Sequence, residues 1–247
     1  MTDSECLSPL AGAAAPAPAR ILLFPRGADG ALTARLYPAG GVCRGLFYAH
    51  LSGQDEAAAA AALAGSGAAL CALAGEDWER DLSPWAAPRA FRKGSDFAGG
   101  GPKYLAFLCE TVLSAAEAAL GLDAPVRGIA GYSLAGLFAL WAAVQRPEFS
   151  IAASMSGSLW YDGFLPQLEH TPHAALPRYA YLSLGDAEPR TRDARMVAVG
   201  DCTRRAAAFL AANGAQADFV WESGSHFHDI PARCARGLQA AAQHLPK

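Results

Sequence analysis

The sequence predicts an α/β domain whose mainly parallel central sheet carries helices on both faces and opens with an antiparallel hairpin. Three observations predict it. The 247 residues are 52% hydrophobic and 17% charged, a balance that suits a compact body with a sizeable core. From Tyr104 onward, short apolar runs alternate with helix-length segments, the rhythm of parallel strands joined by helical crossovers. Earlier, two strand-like runs flank Gly27-Ala28-Asp29-Gly30, a hairpin turn sequence.

Taken in order, residues 1–19 are acidic at the start and then rich in Ala and Pro, which reads as a flexible arm before a single domain over 20–247. Ile21–Phe24 and Leu32–Leu36 form the hairpin, and Gly45–Ala49 is a third strand. Asp55–Ala64 reads as helix, its acidic start suiting the positive end of the helix dipole. Ala68–Ala74 is the next buried strand. It leads into the longest irregular stretch, Glu76–Lys103, whose length and tryptophans predict a segment folded over something. Then follow helix Tyr104–Leu120, strand Val126–Tyr132, helix Leu134–Val144 and strand Ile151–Ser156. A loop, strand Tyr179–Leu184, helix Met196–Asn213, strand Asp218–Glu222 and helix Pro231–His244 complete the chain.

A formal charge of -3 gives no electrostatic reason for nucleic acid or an anionic membrane as partner. No apolar run reaches membrane-spanning length, and the N-terminus lacks the cationic and apolar regions of a secretory signal. The cysteines are scattered, with no CxxC pair and no Cys/His cluster at metal spacing. The expectation is a cytoplasmic protein with no metal site of this kind.

The chemistry centres on Gly131-Tyr132-Ser133-Leu134-Ala135-Gly136, where a strand turns directly into an apolar helix. A serine on such a bend projects its hydroxyl above the sheet, and the residues two before and two after it come into contact, so both must be small. Gly131 and Ala135 meet that requirement, with alanine where glycine is the commoner choice. Ser133 is therefore the candidate nucleophile, and the Leu134 amide at the helix start a candidate oxyanion donor.

A serine hydroxyl needs a general base at neutral pH. His226 emerges first from the last strand, after Gly224 and Ser225, and is favoured over His228. The acid that orients it belongs after the preceding strand, where Gly185-Asp186-Ala187-Glu188 supplies two carboxylates. Spacing from the glycine selects Glu188, with Asp186 as the alternative acid.

With these blocks in view, the sequence resembles bacterial esterases of the α/β-hydrolase fold, related to esterase D and to the Fes/IroE-type siderophore esterases. The resemblance rests on the elbow, on Asp77-Trp78 with Ser83-Pro84-Trp85, on Ser156-Gly157-Ser158-Leu159-Trp160-Tyr161, on Ser183–Glu188, and on Gly224-Ser225-His226-Phe227. It implies hydrolysis of a small-molecule carboxylic ester without metal or organic cofactor, with Ser133 as nucleophile and His226 as base. It also implies a second oxyanion donor after the third strand, at Gly53, while Trp85, Trp160 and Tyr161 are candidates for the substrate pocket. Arg92, Lys93 and Lys103 are candidate contacts for an anionic substrate. The same machinery serves an acyltransferase or an amide or thioester hydrolase. A catalytically inactive binding relative is the reading from another class, and the intact set of serine, carboxylate and histidine argues against it.

Overall fold

The computed structural model describes residues 16–89 and 94–246. The expected arm lies outside the described residues as far as Ala15, as do Arg92 and Lys93. Strands β1 (Arg20–Pro25) and β2 (Ala31–Tyr37) pair antiparallel, and the turn between them closes with the Arg26 amide donating to the Gly30 carbonyl at 2.7 Å. Strand β3 (Gly45–His50), helix α1 (Gly53–Leu63) and strand β4 (Ala68–Ala74) form the first crossover unit.

The expected irregular stretch contains helix α2 (Trp78–Asp81) and a small ribbon of β5 (Ala86–Ala87) with β6 (Phe97–Ala98). Helix α3 (Gly101–Phe107) runs on through a π-helical turn, Leu108–Val112, into α4 (Leu113–Leu120). After it come β7 (Val126–Tyr132), α5 (Leu134–Gln145) and β8 (Phe149–Met155). Where a plain loop was expected, a short helix α6 (Phe164–Glu169) intervenes. Strand β9 (Tyr179–Gly185), helix α7 (Val199–Ala212), strand β10 (Gln216–Glu222) and helix α8 (Ile230–Ala242) follow.

Eight strands form one sheet in the order β1-β2-β4-β3-β7-β8-β9-β10. From β4 to β10 every neighbour is parallel, and β1 and β2 close one edge antiparallel. The two-residue period of a strand sorts side chains between the faces. On β3, Leu46 and Tyr48 join one core with α4, α5 and α7, while Phe47 and Ala49 join the other with α1 and α8. Helix α5 is buried on every side from Leu134 to Val144, which is why its sequence is apolar throughout rather than amphipathic. At Gly128 in β7 a Cβ would stand 2.3 Å from the Phe47 ring, so only glycine lets that aromatic pack across the strand.

Parallel strands put all their carboxyl ends on one edge of the sheet, where open α/β folds bind ligands. β7, β8, β9 and β10 are consecutive in that edge, so the segments leaving them converge.

Candidate active site

Ser133 follows β7 directly, with φ 59° and ψ -122°, a left-handed conformation that serine adopts only when its surroundings force it. The surroundings do. Its amide donates to the Met155 carbonyl at 3.0 Å, and its own carbonyl accepts from Gly136, Leu137 and Ser158 at 3.0, 3.1 and 3.0 Å. A Cβ on Gly131 would lie 2.4 Å from the Ala135 backbone and 2.6 Å from its methyl group, the contact that demands small residues on both sides of the bend. Leu134 is the first residue of α5, where helix geometry leaves an amide without an intrahelical acceptor.

His226 reaches this hydroxyl from the loop after β10. Its Nε2 lies 3.0 Å from Ser133 Oγ, and its Nδ1 lies 2.7 Å from Glu188 Oε2. With Nδ1–H donating to the carboxylate, Nε2 is left as an acceptor facing the serine. Asp186 turns elsewhere: its Oδ1 accepts the Gly224 amide at 2.8 Å and braces the loop that carries His226. Burial pushes the Glu188 carboxyl up, but the His226 hydrogen bond and charge, the Ser156 hydroxyl and the Gly185 amide outweigh it, and the net shift is downward.

Around Glu188 lies a set of groups outside the expected site. Glu188 Oε1 accepts from the Ser156 hydroxyl and the Gly185 amide, each at 2.7 Å, and from Arg233 Nη1 at 3.2 Å. Ser156 is itself left-handed, with φ 46°. The Tyr132 hydroxyl, pushed up to about 12 by burial, accepts from Arg233 Nη1 at 3.1 Å and donates to the His226 carbonyl at 2.6 Å. One sequence signal marks Arg233. It falls on the buried stripe of α8 with Gly237, Leu238 and Ala241, where an apolar residue belongs.

Ser133 and His226 stand in the common wall of two cavities. One, about 340 Å³, is walled largely by Trp78, Phe97, Trp160, Met196, Val199 and Phe227. The other, about 380 Å³, is more polar and is bounded by His50, Ser52, Asp55 and Glu76. Trp78 and Phe227 belong to both.

The remaining expected residues stand as follows. Gly53 opens α1 with φ 58° and lies in neither cavity wall. Trp85 and Tyr161 are also absent from both walls. They pack on one another with ring centres 5.8 Å apart, and the Trp85 indole donates to the Asp162 carbonyl at 2.8 Å, which fastens the loop after β8 to the excursion after β4. Trp160, the third aromatic expected at the pocket, does line the apolar cavity. Lys103 stands at the surface beside Asp29, 3.2 Å away, and lines neither cavity.

A strand-bend-helix serine at the carboxyl edge of a mainly parallel sheet defines an α/β hydrolase. The chain belongs to the family described as "Putative esterase", whose model matches residues 54–230, and by that membership it is an esterase. No curated protein matches it in sequence. Among solved structures, siderophore hydrolase EstB from Aspergillus nidulans superposes with a TM-score of 0.73 at 17% identity, over 96% of this chain and 100% of that one. EstA from the same organism gives 0.74 at 18%, over 96% and 98%. An IroE-like serine hydrolase from Shewanella oneidensis gives 0.72 at 14%, over 90% and 79%. At these identities the likeness is one of fold. Among the described residues, no helix is long and apolar enough to cross a membrane, and no three His, Cys, Asp or Glu residues are grouped to hold a metal ion.

Proposed function

We propose that the protein cleaves esters through an acyl-enzyme on Ser133, with His226 as general base and Glu188 as the acid that orients it. The observation that carries this reading is the unbroken chain Ser133 Oγ to His226 Nε2 at 3.0 Å and His226 Nδ1 to Glu188 Oε2 at 2.7 Å. Ser133 Oγ attacks the ester carbonyl while Nε2 takes its proton, and Glu188 stabilises the imidazolium that forms. Negative charge gathers on the former carbonyl oxygen, where the Leu134 amide donates to it. His226 then returns the proton to the departing alkoxide. Water, activated by the same imidazole, attacks the acyl-enzyme and frees Ser133.

An ester held at Ser133 has two arms, and the two cavities give each arm its own room. The apolar one suits a carbon-rich group among Trp78, Trp160 and Phe227. The other suits a polar group that meets Asp55 and Glu76. The likeness to the siderophore hydrolases EstB and EstA makes siderophores sensible members of the first substrate panel, beside p-nitrophenyl esters of rising chain length.

The decisive experiment labels the protein with a fluorophosphonate and locates the adduct by mass spectrometry. The adduct is expected on Ser133, and Ser133→Ala is expected to abolish both labelling and p-nitrophenyl acetate turnover. Turnover that survives Ser133→Ala overturns the reading. Assaying with added alcohols separates hydrolysis from acyl transfer: new esters formed at the expense of free acid mark a transferase.

A further inference from the structure

Arg233 has 0% exposure and is the bulkiest of the fully buried side chains among the described residues. Its guanidinium gathers groups from four places in the chain. Nη1 donates to Tyr132 OH and Ser156 Oγ at 3.1 Å and to Glu188 Oε1 at 3.2 Å, and Nη2 donates to the Ser223 carbonyl at 2.7 Å. The backbone makes room for it, since a Cβ on Gly185 would lie 2.7 Å from Nη2.

A buried ion pair is a poor source of stability, because desolvation of both charges cancels most of their attraction, and apolar replacements of similar shape do as well or better. Nε also has no partner among the described residues, a further cost. What the arrangement supplies is direction. Glu188 Oε1 is occupied by three donors, from Ser156, Gly185 and Arg233, so the carboxylate cannot rotate and Oε2 is committed to His226. The same Nη1 holds Tyr132, whose hydroxyl grips the His226 carbonyl. Acid and base are thus fixed from one point.

We infer that Arg233 is a positioning residue of the ester-cleaving site, orienting Glu188 directly and the His226 backbone through Tyr132. This rests on the reading of Ser133, His226 and Glu188 given above. The charge matters as well as the shape: it is the cation in hydrogen-bond contact with Glu188 on the side away from His226. The other groups around the pair are Tyr132, Ser133 and Ser156. Asp186 is turned to the Gly224 amide, His228 packs over Gly224, and Glu79, Arg89 and Arg190 stand along the apolar cavity.

The test measures kcat and kcat/KM against pH for Arg233→Met, Arg233→Lys, Glu188→Gln and the Glu188→Gln/Arg233→Met double variant. Losing the cation favours protonation of the Glu188–His226 pair, so in Arg233→Met the acid limb of kcat/KM moves to higher pH by about one unit. kcat falls at least about 10-fold, with KM little changed, as befits loss of orientation rather than of substrate contact. Arg233→Lys returns the acid limb toward its original place. In the Glu188→Gln background the added Arg233→Met change costs less than about 3-fold, because residues that act as a unit are not additive. An unshifted acid limb, or an equal loss in both backgrounds, overturns the inference. Should Arg233→Met not fold, the Lys variant and Tyr132→Phe decide: Lys must keep the acid limb and Tyr132→Phe must lower kcat without moving it, and any other pattern rejects the role. Turnover surviving Ser133→Ala is a different failure, that of the parent reading.

Discussion

Glu188 and Asp186 leave the same strand in the same turn, and side-chain direction alone separates their roles. Glu188 meets the imidazole at 2.7 Å, whereas Asp186 holds the Gly224 amide at 2.8 Å. Glu188→Gln keeps the shape but favours the wrong imidazole tautomer, and kcat on p-nitrophenyl acetate is expected to fall by about 100-fold or more. Asp186→Asn is expected to cost less than about 5-fold and to show mainly as a stability loss of about 1 kcal/mol in urea unfolding. The reverse ranking of the two kcat losses rejects the assignment. At this scale the sequence was legible wherever local sterics dictate the residue. Gly131 and Ala135 are small because backbone meets backbone there, and that need is written into consecutive positions. The mutual packing of Trp85 and Tyr161 was not legible, since an aromatic in an irregular segment has no periodicity to say which way it points. Arg233 was legible only as an arginine on an apolar stripe, and its partners lie as far as 101 positions away.

Helix α2 shows what a very short element needs in order to persist. Four residues cannot sustain a helix by propensity. Here Asp77 caps it by accepting the Arg80 amide at 3.2 Å, and Asp81 accepts the Asp77 amide at 2.9 Å. Asp81 also receives Arg26 Nη1 at 2.7 Å, which ties α2 to the turn after β1. Burial pushes the Asp81 carboxyl up, yet the hydrogen bonds from Arg26 and Arg80 bring it down to about 2. Asp81→Asn leaves the Arg26 charge, 7% exposed, without its carboxylate, and is expected to cost about 3 kcal/mol in urea unfolding. Because α2 carries Trp78 in the wall of both cavities, KM is expected to rise more than kcat falls. A variant with unchanged stability contradicts this account. The long excursion was foreseen from its length and tryptophans, but α2 and the β5–β6 ribbon were not. Elements of four and two residues are too short for a periodic pattern, and side-chain bonds to distant parts of the chain hold them.

For the molecule as a whole, the mainly parallel sheet follows from alternating strands and helices, which is why the parallel core and the hairpin edge were both foreseen. What the pattern did not reveal is a buried titratable group. His50 ends β3 with 3% exposure; its Nε2 lies 3.1 Å from the Tyr104 hydroxyl, and burial pushes its imidazole down from 6.5 to about 3. The unfolded chain therefore takes up this proton long before the folded one does. The stability that the neutral ring permits is complete above about pH 6.5 and declines as pH falls toward 3, by up to about 1.4 kcal/mol per pH unit. Asp81, depressed from 3.8 to about 2, adds its own loss below about pH 4. Urea midpoints of the wild type are expected to fall between pH 6.5 and 4.5, and His50→Gln is expected to flatten that interval while leaving the steeper decline below pH 4. An unchanged slope in His50→Gln rejects the explanation.

The brace on the acid also bears on biosynthesis. Tyr132 and Ser133 emerge from the ribosome far ahead of Arg233, 101 positions downstream of Tyr132, so on the reading proposed above Ser133 is made well before the residue that orients its partners. Truncated translation products that stop short of the helix bearing Arg233 lack its buried face and are expected to be inert.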